Sequence, residues 1–500
     1  MAPMARMSLV LGVAMFAAAC TAAPEVMPAT PPPASIGPTA DPAPWPEPPA
    51  VSDEELEAPV AEAVGRLVAA GLTAPPDAEA VAAVAASGDA RLAWVLADLL
   101  RLAVTPDAEA LLVDAFARLT GTDPRDPRFG ANSWLAVSNL LIGWDLPAPP
   151  GYPEHKAALL LQLDPGWEPF FTDPDSTIDW RVTTWGGVFI DGRPPGSAEP
   201  CVRACIPALD DPALISAAEG DWYPDERIVF GIRLGGEAVA LPKHIMEVHE
   251  MVNLTVGGRR LGVPYCTLCA SAQAYLTDAV PDGIEPLVLR TSGLLSRSNK
   301  VMYDLGTGSA FHTFTGRAAS GPLREVGFVL EPVTVAVSTW GEWRAAHPDT
   351  RIVARDGGIG RAYPDDPLCG RDAGGPIFPI GPADTRLPAQ AAVVGVIDEA
   401  GMPIAFAAGP ARAELAAGGS VGFGDVVLTE AGGGLLARTV DGAALVAHEA
   451  AWFAWSQFHP GTALWAPPSS RNALEDRAVE PDTGRAEPSE GCRELLDAPG

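Results

Sequence analysis

Two stretches, WGEWRAAHPDT (340–350) and WFAWSQFHPGT (452–462), share the pattern W-x-x-W-x-x-x-H-P-x-T, and their agreement decides how the chain is read. Upstream of each lies a strand-turn-strand pattern, IVFGIRLGGEAVALP (228–242) and VVGVIDEAGMPIAFA (393–407), in which apolar, β-branched runs are broken by a glycine-containing turn. The combination predicts a duplicated β-rich module whose copies pack together because neither buries its apolar face alone. In both copies the histidine ends a Trp-bearing amphipathic segment and precedes a proline that stops it, so His347 and His459 read as structural.

Outward from the repeat, the character of the chain changes near Asp173. Before it, apolar residues recur at helical spacing: Leu92, Val95, Leu96, Leu99 and Leu102 form one stripe. Ser52 with Glu55 offers a capping box, and a further helix opens at Thr105-Pro106, with Asp107 and Glu109 in its first turn, and closes near Gly121. The predicted fold class is α+β: an N-terminal helical, solenoid-like domain (52–165) followed by an internally duplicated β-rich module. Copy one covers 175–355 and copy two 356–466.

The ends read differently. Arg6, the apolar run 8–19 and the small residues Ala17 to Ala19 lead into Cys20, a pattern that resembles the lipobox of bacterial lipoproteins. On that reading 1–19 is a signal peptide, too short to span a bilayer permanently, and Cys20 is lipidated. The Pro/Ala-rich segment 20–51 is then a stiff tether, and 467–500 a disordered tail. The expectation is an exported protein of the bacterial cell envelope, anchored to a membrane through lipid. A formal charge of −30 with only three lysines argues against nucleic-acid partners.

Chemistry-bearing residues concentrate in copy one, in HEMVNLTVGGRRLGVPYCTLC (249–269); copy two has VVLTEAGGG where copy one has LGVPYCTLC. His249, Cys266 and Cys269 are candidate metal ligands, and soft sulfur with imidazole suits zinc or copper. The same Cys-x-x-Cys can instead be a redox dithiol or a structural disulfide. Haem attachment is excluded because Ala270, not histidine, follows Cys269, and no nucleotide cofactor is expected. Glu250 and His312 are candidates for acid-base roles. Ser292, Arg297, Asn299 and Lys300 form a polar segment suited to a small polar or anionic ligand, or to fixing a hairpin. Cys201 and Cys205, flanking VRA, are a candidate disulfide.

Five blocks in one order carry a family resemblance: ALPKHIMEVHEMVNLTVGGRRLGVPYCTLCASA (240–272), TSGLLSRSNKVMYDLGTGSAF (291–311), FTGRAASGPL (314–323), STWGEWRAAHPDT (338–350) and WFAWSQFHP (452–460). Together they resemble the domain of unknown function 3179 family, over roughly 180–465, a name that implies no activity. That family typically shows a His-Glu pair followed by Tyr-Cys-Pro-Leu-Cys-Gly-Thr. Here Thr267 replaces the proline, Ala270 the glycine and Ser271 the threonine, while Phe311, His312 and Thr313 stand where the family usually has Trp, Ser and Gln. The family's Cys-Pro-x-Cys-Gly turn resembles a metal knuckle, which Ala270 fits at a conformational cost; His312 then offers an added ligand. The function classes that follow are a metal-binding envelope protein, a metal-assisted hydrolase or thiol oxidoreductase, and a structural or interaction protein with a disulfide in place of the metal.

Overall fold

Local signals set the helices. The computed structural model describes residues 45–465 and 467, apart from 72, 73, 104, 198 and 371–374; Cys20, the signal segment and the tail beyond 467 lie outside the described residues. Helix Ala78–Ser87 starts where the Asp77 carboxylate accepts the N–H groups of Glu79 and Ala80, and it ends at left-handed Gly88. Helix Pro106–Thr120 starts at Thr105, whose Oγ1 accepts the Ala108 N–H, and ends at left-handed Gly121. The expected capping box at Ser52 is absent. Ser52 Oγ accepts the Glu54 N–H, and the first helix opens only at Ala58, with Pro59 in its first turn.

The β-rich remainder forms five small sheets arranged in a ring, a five-bladed β-propeller. This corrects the expected architecture of a helical solenoid followed by a two-copy module. The first sheet is built on the hairpin Ile228–Leu234 and Glu237–Pro242, and the second on Met251–Val256 and Arg259–Cys266. Leu289–Ser296, Asn299–Asp304, Ala310–His312 and Arg317–Ala318 join Thr183–Trp185 in a third. Ala392–Ile397 with Pro403–Ala407 and Val426–Ala431 with Gly434–Thr439 are the centres of the fourth and fifth. The stretch 287–335 thus supplies most of a blade. Nor do the helices stack as a solenoid. Their buried side chains share one core with Leu294, Val301, Tyr303 and Ala310 of the third sheet, so the helical region packs onto a blade instead of building upon itself. Among the described residues no helix is long and apolar enough to cross a membrane.

The Trp-Trp-His-Pro-Thr pattern has a common physical basis in the first and fourth sheets. In each, a short helix (Trp340–Ala346 or Trp452–Phe458) leads to a strand that pairs parallel with the hairpin. Trp343 Nε1 donates to Thr350 Oγ1 and Trp455 Nε1 to Thr462 Oγ1, both at 2.9 Å. His347 and His459 pack on those indoles, with ring centroids 4.3 and 4.2 Å away. Each indole lies over a glycine of the neighbouring strand, Gly231 or Gly395, where a Cβ would collide with it.

Candidate functional site

Helix Lys243–His249 ends because Glu250 adopts a left-handed conformation (φ +50°), its N–H donating to the Met246 carbonyl at 2.7 Å. The chain then runs out along Met251–Val256, turns at Gly257-Gly258 and returns along Arg259–Cys266. A single 3-10 turn, Thr267–Cys269, closes on left-handed Ala270 (φ +46°) so that Ser271–Ala272 pairs back, Ser271 opposite Cys266. Within this loop Cys266 and Cys269 are joined by a disulfide, with side chains only 4% and 1% exposed. Ser298 directs its carbonyl oxygen at both sulfurs, 3.9 Å from Cys266 and 4.0 Å from Cys269. It does so from a two-residue hairpin turn, Arg297-Ser298, whose residues are both left-handed (φ +47° and +65°), a conformation that normally selects Asn-Gly.

Two polar pairs flank the disulfide. The Lys300 ammonium lies 2.6 Å from Glu250 Oε2 and also donates to the Glu250 carbonyl and Thr291 Oγ1. Thr267, between the two cysteines, donates from Oγ1 to Glu250 Oε1 at 2.8 Å. Burial pulls the Lys300 pKa below its ordinary value, and the Glu250 charge works against that shift. On the other side, Ser271 Oγ lies 2.6 Å from His448 Nε2, and Gln273 Nε2 approaches the other ring nitrogen at 3.4 Å. Burial pushes His448 down to about 3, assisted by the charge of His459. Phe314 packs on His448 and stacks on Phe458, and this aromatic group belongs to one core with Cys266 and Cys269. The disulfide therefore sits where the second, third and fourth sheets meet.

Residues 203–440 match the family model described as protein of unknown function (DUF3179). Over these residues the chain belongs to the DUF3179 family. No curated protein and no solved structure matches it.

In this DUF3179 chain the residues singled out from sequence do not all converge. His249 is buried with both nitrogens engaged: Nδ1 lies 2.6 Å from the Pro207 carbonyl and Nε2 2.7 Å from the Tyr363 hydroxyl. A carbonyl only accepts, so the neutral ring carries its proton on Nδ1 and takes the tyrosine O–H at Nε2. Burial pushes this imidazole down to about 4. His249, Cys266 and Cys269 form no ligand cluster among the described residues. The one such cluster is Asp191, Cys201 and Cys205. There Cys201 and Cys205 are themselves disulfide-bonded, and Asp191 already accepts from Arg193 and the Ala208 N–H. Cys369 is likewise disulfide-bonded.

His312 sits on the far side of its sheet from the disulfide. It pairs with Val301, and paired residues share a face; Val301 packs into the helical core, whereas neighbouring Lys300 points to Glu250. Ser292 Oγ donates to the Val301 carbonyl and accepts the Leu294 N–H, holding the bulge between Thr291 and Leu295. Asn299 Nδ2 closes the turn on the Arg297 carbonyl, while its Oδ1 is buried without a partner among the described residues, as is Ser298 Oγ. Thr267 and Ser271 stand in the sequence only as departures from the family motif, and nothing there assigns a role to Gln273 or His448. For His448 the one available signal is that His448-Glu449 is a second His-Glu dipeptide, in the half of the chain without the cysteine pair.

Proposed function

We propose that Cys266 and Cys269 form a thiol-disulfide centre, in a protein exported to the cell envelope and tethered there through Cys20. Export suits it, since disulfides persist in oxidising compartments. The observation that carries the reading is the concentration of left-handed, non-glycine residues around this one disulfide. Of seven non-glycine residues with positive φ among the described residues, four (Glu250, Ala270, Arg297 and Ser298) surround the disulfide. Stability alone is a weak reason for the bond, because closing so short a loop contributes only roughly 2 kcal/mol. The buried Lys300–Glu250 pair, tied through Glu250 to Thr267 between the two cysteines, anchors the loop that carries the sulfurs.

The reaction is exchange with a dithiol. A thiolate of the partner attacks one sulfur, the Cys266–Cys269 bond breaks and a mixed disulfide forms. The partner's second thiol then displaces the protein, which takes up two protons and two electrons while the partner becomes a disulfide. Because both sulfurs are buried, attack requires the segments packed on them to move first.

The test equilibrates purified protein with graded ratios of reduced to oxidised dithiothreitol, traps free thiols by alkylation and counts them at Cys266 and Cys269 by mass spectrometry. A reversible two-electron transition at a potential above about −300 mV, the region of labile bonds, supports the centre. A bond that stays oxidised far below that, or zinc or copper retained stoichiometrically by the protein as purified, overturns it.

A further inference from the structure

The buried cations Arg91, Lys156, Arg290 and Lys300 each face a carboxylate; the half-buried Arg101 does not. Its side chain leaves the last turn of helix Ala93–Leu102 and lies 4.7 Å from the ring centroid of Trp134, 5.3 Å from Trp185 and 5.8 Å from Phe378. Nε and Nη2 both donate to the single carbonyl of Trp185, at 3.3 and 3.2 Å, and no carboxylate lies within ion-pair distance among the described residues. Burial disfavours its charge, in a protein whose net charge is −30. Aromatic faces offset part of that cost, and the remaining guanidinium N–H groups have no protein acceptor among the described residues.

Arg101 lines a cavity of about 10 Å³ together with Asp98, Lys156 and Thr184, and those three also line a second cavity of about 20 Å³ beside Trp94 and Trp134. The Lys156 ammonium is already paired with Asp98, whose other oxygen accepts from Tyr152. Arg181, which also lines the larger cavity, is paired with Asp179 and Asp145, so Arg101 is the one cation of this group without a carboxylate among the described residues, its planar fork facing space for a few atoms. We propose that this junction between the helical region and the third sheet binds a one- or two-carbon carboxylate, its oxygens on the Arg101 fork and its carbon end against the indoles. The fork matches a carboxylate in two parallel hydrogen bonds. The site is separate from the disulfide and stands or falls independently of it.

The full chain is titrated with sodium acetate and sodium formate against sodium chloride at matched ionic strength, reading tryptophan fluorescence and the thermal midpoint. Saturable changes with acetate or formate, absent with chloride, are expected, and Arg101→Gln should weaken binding at least tenfold while Arg101→Lys retains part of it. Thr184→Val, which keeps the guanidinium and narrows the polar wall, should weaken binding severalfold and serves if Arg101→Gln does not fold. A response that tracks ionic strength alike for all three anions, or acetate binding that survives Arg101→Gln or is unmoved by Thr184→Val, overturns the proposal.

Discussion

Lys300 and Glu250 meet at 2.6 Å in the interior, and the same ammonium also takes the Glu250 backbone carbonyl. The pair joins the third sheet to the second and fixes a left-handed residue at the point where helix Lys243–His249 becomes a strand. Because Glu250 also accepts from Thr267, the disulfide loop is held by a charge pair belonging to two sheets. Removing one partner leaves the other buried and uncompensated.

Lys300→Met is therefore expected to cost about 3–5 kcal/mol of unfolding free energy, and Glu250→Gln a similar amount. The double variant should lose clearly less than the sum of the two, since neither charge is then stranded. Urea unfolding of the four proteins checks this. Strict additivity would show that the two side chains are not coupled.

Acid should destabilise the fold well before the surface carboxylates titrate. His249 and His448 are held at about 4 and about 3, against an ordinary histidine value of 6.5. Both are depressed, so the folded form resists a proton that the unfolded chain accepts. Their contribution is complete above pH 6.5 and is lost as pH falls toward 4. For His249 the full difference corresponds to about 3 kcal/mol. Asp98 and Glu449, whose pKa values burial raises, act in the opposite sense at the acid end. Urea midpoints between pH 7.5 and 4.5 should fall steeply below 6.5, and His249→Asn should flatten that slope.

Features that depend on near neighbours were legible in the sequence, and those that depend on distant pairing were not. The Thr105-Pro106 start and Gly121 stop are local, and the Trp343–Thr350 and Trp455–Thr462 bonds each close within one short segment. The ring was hidden because Thr183–Trp185 finds its partner in Leu289–Ser296, far along the chain, and no pattern in either segment announces the other. At the site, closeness in sequence misled. His249 and Glu250 are adjacent, yet the left-handed turn between helix and strand sends the imidazole to Pro207 and Tyr363 and the carboxylate to Thr267 and Lys300. His448 reaches Ser271 only through packing of the fourth sheet on the second.

The Trp-over-glycine contact gives a sharper packing test. Gly231→Ala and Gly395→Ala each place a methyl inside the ring of Trp343 or Trp455, both anchored by a hydrogen bond to threonine and unable to swing away cheaply. Overpacking of this kind should cost about 1–3 kcal/mol at either position. Gly65, whose added Cβ meets nothing, is the control, and Gly65→Ala should be neutral or slightly stabilising in a helix. Thermal midpoints of the three variants decide it; equal values would mean that the indoles yield.

Strain around the disulfide can be relieved without touching either sulfur. Ala270 and Ser298 are left-handed, and glycine pays no Cβ penalty there, so Ala270→Gly and Ser298→Gly should each stabilise the folded state by about 1 kcal/mol, less the extra freedom of the unfolded chain. Neither change removes the Ser298 carbonyl that faces Cys266 and Cys269. If that strain makes the bond labile, the relaxed variants should also shift the disulfide to a more negative potential in the dithiothreitol titration. A gain in stability with no shift in potential would separate the strain from the redox chemistry, leaving the left-handed turns a matter of chain geometry alone.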